Sequence, residues 1–231
     1  MIWHKFDSRD EMVAALKQAT KEKLEAALDA RGQASWLVSG GSTPKPLFEA
    51  MSAEKIAWDN VQIALVDERW VDSDHPRSNE AFMRGALEKG ETAAANFIGM
   101  KTEHADPFEA VEAVNERYGT IVYPFDSVLL GMGPDGHTAS LFPDAKGLDS
   151  AFYPECRNIC AALTAVKSDV TGEEVDRMSL TAAAITKAHH VVLMITGEEK
   201  LRVLEEALDP QSRLPIGRLA RRKPFEVYWA P

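Results

Sequence analysis

The feature that most constrains the fold is a repeated order of short apolar run, polar turn and helical segment. Apolar runs cover 34–38, 61–66, 127–130 and 191–195, and a glycine-rich or charged turn follows each. Strands that alternate with helices pair mainly in parallel, and the helices cover both faces of the sheet. The sequence therefore predicts an α/β fold with a mainly parallel sheet.

Capping residues set the bounds of the predicted helices. Ser8 and Glu11 fit a capping box and Gly32 suits a C-cap, which predicts a helix over 9–31. Pro44 suits the first residue of another helix. Further helices are predicted from near 78, over 106–118 and over 198–208, with short strands over 177–180 and 225–229. Because no linker, repeat or low-complexity tract interrupts the pattern, we expect one domain over 1–231.

The net charge argues against a nucleic-acid partner and sets a condition on any phosphate-binding site. The net charge is −10 and the pI is about 5.1. An acidic surface repels the phosphate backbone of a nucleic acid, so we expect no nucleic-acid partner. The same charge repels a small phosphate ester, so any site for one must be locally positive.

The cysteines and apolar runs indicate a reducing compartment. Cys156 and Cys160 are the only cysteines, and both fall at or beside a predicted strand over 157–163. Four residues along a strand span about 13 Å, too far for a disulfide, which predicts two free thiols. No signal-like or membrane-spanning apolar run is present. We therefore expect a cytoplasmic protein with no membrane partner.

Four polar motifs follow predicted strands: SGGST at 39–43, DERW at 67–70, GMGPDGH at 131–137 and TGEEK at 196–200. In open parallel sheets, ligands bind beyond the carboxyl ends of the strands. Because all four motifs fall at such ends, the sequence predicts that they form a single site.

The first motif is suited to an anion. Gly40 and Gly41 let the backbone approach a ligand, and Ser42 and Thr43 lead into a helix whose first N–H groups are unpaired. The motif is neither the dinucleotide GxGxxG nor a P-loop, so no dinucleotide site is predicted. A plain turn with Thr43 as helix cap explains the same residues equally well.

The third motif predicts acid–base catalysis. Gly133 belongs to a tight loop that ends in Asp135, Gly136 and His137. A histidine can activate water and then protonate a leaving oxygen, and Asp135 can orient it or bind a substrate hydroxyl. We therefore identify His137 as the candidate general base.

Positive groups for a phosphate are few. Arg177 opens a short strand-like run, and Lys200 lies in the first turn of a helix, where the helix dipole disfavours a cation unless an anion is bound. A solvated surface lysine is the alternative for Lys200. Asp67 and Arg69 are predicted site residues, with a surface ion pair as the alternative.

Metal and covalent mechanisms find little support in the motifs. The sequence has no HExxH, no CxxC and no clustered histidine ligands, which predicts a reaction without metal or other cofactor. It also lacks the GxSxG nucleophile elbow, and neither cysteine adjoins a glycine-rich loop or a histidine.

Together these motifs resemble the 6-phosphogluconolactonase family. The matching segments run in the expected order over nearly the whole chain: SGGSTPKPLF at 39–48, VDERWV at 66–71, LLGMGPDGHTASLFP at 129–143, RMSLT at 177–181, TGEEK at 196–200 and PIGRL at 215–219. Two departures are mild: Ser179 stands where the family usually has Thr, and the C-terminal end is short.

The resemblance implies a Rossmann-like fold shared with glucosamine-6-phosphate isomerase/deaminase, and hydrolysis of 6-phospho-D-glucono-1,5-lactone in the oxidative pentose phosphate pathway. In that mechanism His137 takes a proton from the attacking water, and Arg69 or loop N–H groups stabilise the oxyanion. The phosphate is expected at the SGGST loop, Arg177 and Lys200.

Two alternatives remain. The isomerase/deaminase branch shares the GxGxDGH loop, but it carries DEY in place of 67–69 and a glutamate-containing NEP motif after the loop, where this chain has TASLFP at 138–143. A non-catalytic sugar-phosphate sensor is the other alternative, although this chain has no DNA-binding motif. Turnover separates the sensor from an enzyme.

Overall fold

Seven parallel strands form the main sheet of the computed structural model, which describes all residues from Met1 to Pro231. In chain order the strands are β1 (Ile2–Lys5), β2 (Ala34–Val38), β3 (Val61–Leu65), β4 (Asp67–Arg69), β5 (Asn96–Ile98), β6 (Ser127–Leu130), β7 (Cys160–Thr164), β8 (Asp176–Leu180), β9 (His190–Thr196) and β10 (Glu226–Ala230). The main sheet has the order β1-β10-β9-β6-β2-β3-β5, and every pair in it is parallel. The predicted α/β fold with a mainly parallel sheet is confirmed.

Eight α-helices connect the strands. They are α1 (Arg9–Arg31), α2 (Lys45–Met51), α3 (Asn79–Leu87), α4 (Val111–Tyr118), α5 (Leu148–Ala151), α6 (Ala182–Lys187), α7 (Glu198–Ala207) and α8 (Pro215–Arg222). The ends of α1 are as predicted: Ser8 Oγ accepts from the Glu11 N–H at 3.2 Å, and Gly32 adopts a left-handed φ of 74°. None of the helices has the length and hydropathy needed to cross a membrane.

A second sheet of three antiparallel strands, in the order β4-β8-β7, was not predicted. The sequence places DERW at 67–70 at the end of the strand over 61–66, but its first three residues form a separate strand, β4, in which Arg69 lies opposite Arg177 of β8. Such pairing joins distant parts of the chain, so no local sequence pattern predicts it. The strand predicted over 157–163 instead begins at Cys160, and both cysteines are free thiols.

The core is continuous through both sheets. One cluster of 63 buried residues includes β2 and β9 of the main sheet and Cys160, Leu163 and Met178 of the second sheet. All five residues of β2 are buried, as expected for a parallel strand covered on both faces. This continuity supports the prediction of a single domain.

The strand order brings the predicted motifs together. Strands β9, β6, β2 and β3 are neighbours, and their parallel direction places all four carboxyl ends at one edge of the sheet. The ends of β2, β3 and β6 lie level with one another, since Val38 pairs with both Leu65 and Leu129. The loops after these strands therefore open at the same edge.

Candidate active site

A cleft of about 290 Å³ opens at this edge of the sheet. Its lining residues are Ser39, Gly40, Gly41, Ser42, Thr43, Pro44, Asp67, Arg69, Asn79, Gly131, Met132, Gly133, His137, Ala139, Val170, Met194 and Lys200. Two wider clefts, of about 750 and 880 Å³, contain none of the predicted site residues. The convergence of the four motifs, rather than size, identifies this cleft as the candidate site.

Ser39 ties the loop after β2 to the loop after β6. Its Oγ donates to the Leu129 carbonyl at 3.0 Å and accepts from the Gly131 N–H at 3.3 Å. In the same loop a Cβ on Gly40 would overlap the side chain of Asn79, and Gly41 has a φ of 100°, which favours glycine. The glycines of the SGGST motif are thus required by close approach and by backbone conformation.

The backbone N–H groups of residues 40–43 donate no hydrogen bond within the protein. All four residues line the cleft, and Gly41 and Ser42 are exposed. A row of unpaired N–H groups forms a concave site of positive partial charge, which suits an anionic oxygen.

His137 is held by Asp135 within one tight turn. Its Nδ1 lies 2.5 Å from Asp135 Oδ1, which also accepts from the His137 backbone N–H at 3.2 Å. Burial raises the pKa of Asp135, but its contacts with His137 outweigh burial and hold that pKa below its usual range. An ionised Asp135 that accepts from Nδ1–H leaves Nε2 of a neutral imidazole free to take a proton.

Gly133 makes room for that imidazole. A Cβ on Gly133 would overlap the His137 ring and approach Asp135. Backbone bonds close the turn, with Gly133 N–H donating to the His137 carbonyl at 3.0 Å and Gly136 N–H donating to the Gly133 carbonyl at 3.1 Å. Gly136 has a left-handed φ of 72°. The turn therefore fixes the relative positions of His137 and Asp135.

The three charges of the DERW motif divide between the cleft and the protein interior. Asp67 lines the cleft, and its Oδ2 accepts from Ser140 Oγ at 2.6 Å. Arg69 also lines the cleft, with Nη1 donating to the Arg77 carbonyl at 2.8 Å and to Asn79 Oδ1 at 2.9 Å. Glu68 points into the interior and is fully buried.

Glu68 is a structural carboxylate at the start of α3. Its two oxygens accept from the Arg69, Asn79 and Glu80 N–H groups and from Ser78 Oγ, all at 2.7–2.9 Å. Burial raises the pKa of Glu68 to about 7, while the donors oppose that rise. This residue holds β4 against α3 and so supports its neighbours in the cleft.

Asn79 is a site residue that the sequence analysis missed. It is 5% exposed and lines the cleft, and its side chain joins the Arg69 guanidinium to the Asp67 carbonyl, to which its Nδ2 donates at 2.9 Å. The available signal was its position directly after the Ser78 helix cap, twelve residues beyond Asp67. Met132, Ala139, Val170 and Met194 also line the cleft without having been predicted.

Lys200 is the cleft's unpaired cation. It lies in the first turn of α7, lines the cleft and is half-buried, and it makes no hydrogen bond or ion pair within 4.0 Å. Burial lowers the pKa of the Lys200 ammonium, although Glu199 opposes this effect. A bound anion would restore the stability of the charged form.

Arg177 lies away from the cleft surface. It is 3% exposed and absent from the lining, with Nη2 donating to the Thr171 carbonyl at 3.0 Å and Nη1 to the Asp176 carbonyl at 3.2 Å. Burial lowers the pKa of Arg177 to about 10. These contacts fasten the β7–β8 loop, which carries Val170 to the cleft, and they do not present the guanidinium to a ligand.

Comparisons with known proteins show the family of this chain. The family model described as "Glucosamine-6-phosphate isomerases/6-phosphogluconolactonase" matches residues 7–229. A 6-phosphogluconolactonase from Mesorhizobium japonicum is 38% identical over 99% of this chain and 95% of its own length, and one from Pseudomonas aeruginosa is 36% identical over 97% and 92%. The chain belongs to this family.

Solved structures extend the family likeness to the fold. A 6-phosphogluconolactonase structure from Shewanella baltica has a TM-score of 0.92 and 33% identity, covering 100% of this chain and 98% of that chain. A monomeric glucosamine-6-phosphate deaminase has a TM-score of 0.79 at 14% identity, covering 100% and 97%, which shows a shared fold alone. That deaminase therefore has the same fold as this chain.

Two of the family motifs in this chain are structural. Thr181, at the end of RMSLT, caps α6 by accepting from the Ala184 N–H at 3.1 Å. Gly217, within PIGRL, lies so close to the Ala207 carbonyl that a Cβ would overlap it, which allows α8 to pack against α7. The motifs that meet at the cleft are SGGST, DERW, GMGPDGH and TGEEK.

Proposed function

We propose that this family member hydrolyses 6-phospho-D-glucono-1,5-lactone to 6-phosphogluconate, with His137 as general base. The observation that carries the proposal is the His137–Asp135 pair, since His137 lines a cleft that also contains Lys200 and unpaired backbone N–H groups. The relatives named 6-phosphogluconolactonase, alike over nearly their full length, support the same reaction.

The reaction begins with water activation. Nε2 of His137 takes a proton from water while the water oxygen bonds to the lactone carbonyl carbon. The bond between that carbon and the ring oxygen then breaks, and the imidazolium returns its proton to the departing oxygen. The products are a carboxylic acid and a free hydroxyl, and Asp135 stabilises the imidazolium without taking its proton.

The tetrahedral intermediate requires fixed donors for its oxyanion. Arg69 suits this role because Arg77 and Asn79 hold its Nη1, so little reorganisation is needed when the charge develops. Free N–H groups of the glycine-rich loops are the other donors in reach of the cleft. Asp67 is already bonded to Ser140, which favours a role in orienting substrate hydroxyls with its remaining oxygen.

The phosphate is assigned to Lys200 and the N–H groups of residues 40–43. Lys200 supplies a charge with no protein partner, and the loop supplies donors with no protein acceptor. Arg177 stays in the proposal as a support for the β7–β8 loop, because it is buried, does not line the cleft and donates to the Thr171 carbonyl. Holding the remote end of the substrate fixes the carbonyl against the water.

The isomerase/deaminase activity of the other branch lacks support in this chain. Residues 138–143, TASLFP, supply no carboxylate after the catalytic loop. We place the reaction in the cytoplasm, because a charged sugar phosphate does not cross a bilayer unaided and both cysteines stay reduced there.

The test is hydrolysis of freshly prepared 6-phosphogluconolactone by the purified protein, with the spontaneous rate subtracted. We expect turnover well above the spontaneous rate, unchanged by EDTA, and no ammonia from glucosamine 6-phosphate. A rate equal to the spontaneous one contradicts the proposal. Loss of activity in EDTA with recovery on adding zinc or magnesium contradicts its metal-free mechanism, and ammonia release assigns the chain to the other branch.

A further inference from the structure

A buried aromatic ring lies against the proposed catalytic base. The rings of His137 and Phe142 stack with centroids 4.0 Å apart and an interplanar angle of 29°. Phe142 is 5% exposed and does not line the cleft, so a substrate in the cleft does not meet it. Its contact is with the base itself.

The chain returns to His137 through a short, strained turn. Thr138 Oγ1 donates to the Gly131 carbonyl at 2.8 Å, and Leu141 N–H donates to the Thr138 carbonyl at 3.0 Å. Between them Ala139 adopts a φ of 49°, which is uncommon for a residue with a side chain. This turn brings Phe142, five residues beyond His137, back over the imidazole.

We propose that Phe142 is a positioning residue for the general base, an inference that rests on the proposed function. The Asp135 hydrogen bond holds the ring at its Nδ1 edge and does not contact its face. Gly133, which has no side chain, lies against the imidazole, and the Phe142 ring stacks on it. Together they hold Nε2 in the direction of the cleft, where the water must be met.

The Phe142 ring also lies near a cation. The Arg177 guanidinium carbon is 5.6 Å from its centroid, so the ring contacts both the base and a buried residue of β8. Cations are attracted to the face of an aromatic ring, and an imidazolium formed at His137 gains the same contact. Phe142 therefore orients the neutral base and also contacts the charged form.

The test compares Phe142→Leu and Phe142→Tyr, with Phe152→Leu as the matched control. Phe152 is equally buried and contacts Arg218 and Arg222 away from the cleft. For Phe142→Leu we expect kcat to fall about 10- to 100-fold, the scale of a misplaced catalytic group, with little change in KM. Phe142→Tyr keeps the ring and should retain kcat, and Phe152→Leu should lower only the free energy of unfolding.

A second readout does not depend on activity. In NMR spectra of the free protein, the imidazole signals of His137 should be single and narrow in the wild type and in Phe142→Tyr, and broadened or doubled in Phe142→Leu. In a His137→Ala background, Phe142→Leu should lower kcat no further. If Phe142→Leu does not fold, Phe142→Met, which fills similar space, takes its place in both measurements.

The outcomes separate the two proposals. Suppose that the wild type is inactive, but its His137 signals are narrow and Phe142→Leu broadens them. That result overturns the proposed function and keeps the positioning role. An active wild type whose Phe142→Leu variant keeps its kcat and its His137 signals overturns the positioning role, since the ring then serves packing alone.

Discussion

The carboxylate of Asp135 lies 2.5 Å from Nδ1 of His137, two residues along the chain, so the proposed general base and its hydrogen-bond partner belong to one turn. The turn is closed by backbone bonds of Gly133 and Gly136. Because the geometry is local, it does not depend on closure of distant elements around the substrate.

Asp135→Asn should lower kcat at least about 10²-fold, because an amide that donates to Nδ1 stabilises the imidazole tautomer with its proton on Nε2. His137→Ala should lower kcat by a similar or larger factor, and KM should change little in both. The measurement is steady-state kinetics on 6-phosphogluconolactone with urea unfolding in parallel. Asp144→Asn, at an exposed position outside the cleft, is the control. An Asp135→Asn variant with normal kcat would show that the pair is not catalytic.

Gly133→Ala should displace the His137 ring and lower kcat at least about tenfold, since even a small misplacement of a catalytic group is costly. The φ of Gly133 is not left-handed, so the effect is steric rather than conformational. Gly85→Ala is the control, because a Cβ at Gly85 meets nothing within 4 Å. Kinetics and the His137 NMR signals check the outcome. Equal kcat in Gly133→Ala and Gly85→Ala would mean that the turn accommodates the added Cβ without displacing His137.

Lys200→Ala should lower kcat/KM for the phosphorylated lactone about 10- to 100-fold, the equivalent of one hydrogen bond to a charged group. Its slow reaction with plain glucono-lactone should be nearly unchanged. Both substrates are measured with the spontaneous rates subtracted, and Lys187→Ala, an exposed lysine away from the cleft, is the control.

Arg177→Ala separates a supporting role from direct phosphate contact. It should lower the free energy of unfolding, because the Thr171 carbonyl loses a charged donor. If Arg177→Ala removes the preference for phosphate at unchanged stability and Lys200→Ala does not, the phosphate is bound by Arg177 and the present assignment is wrong.

Glu68 predicts a pH dependence of stability. Burial raises its pKa to about 7 in the folded protein, above about 4.3 in the unfolded chain. Between those values the folded state binds more protons, so this group's contribution to stability is fully present below about pH 4.3 and is lost as the pH rises through about 7. In urea unfolding from pH 4.5 to 8, the free energy of unfolding of the wild type should fall as the pH rises. The fall should be smaller in Glu68→Gln. Equal slopes would contradict the assignment.

Much of the fold was predictable because its signals are local. The α1 caps, the bounds of β2 and β6 and the glycine-rich turns all depend on neighbouring residues. The convergence of the motifs followed from one general property, that parallel neighbouring strands end at the same edge. Gly40, Asp67, Arg69, His137 and Lys200 were therefore predicted to share a site, and they line one cleft.

Local sequence patterns predicted the alternation of strands and helices, the edge at which the site forms, and the turn that joins Asp135 to His137. The packing of distant segments placed 67–69 in a second sheet, buried Arg177, and brought Asn79 against Arg69 and Phe142 against His137. The physical reason is separation along the chain: Ser140 meets Asp67 across 73 residues, and such contacts depend on how whole elements pack. Residue type and spacing report what a segment can do locally, whereas burial and cross-strand pairing are properties of the assembled fold.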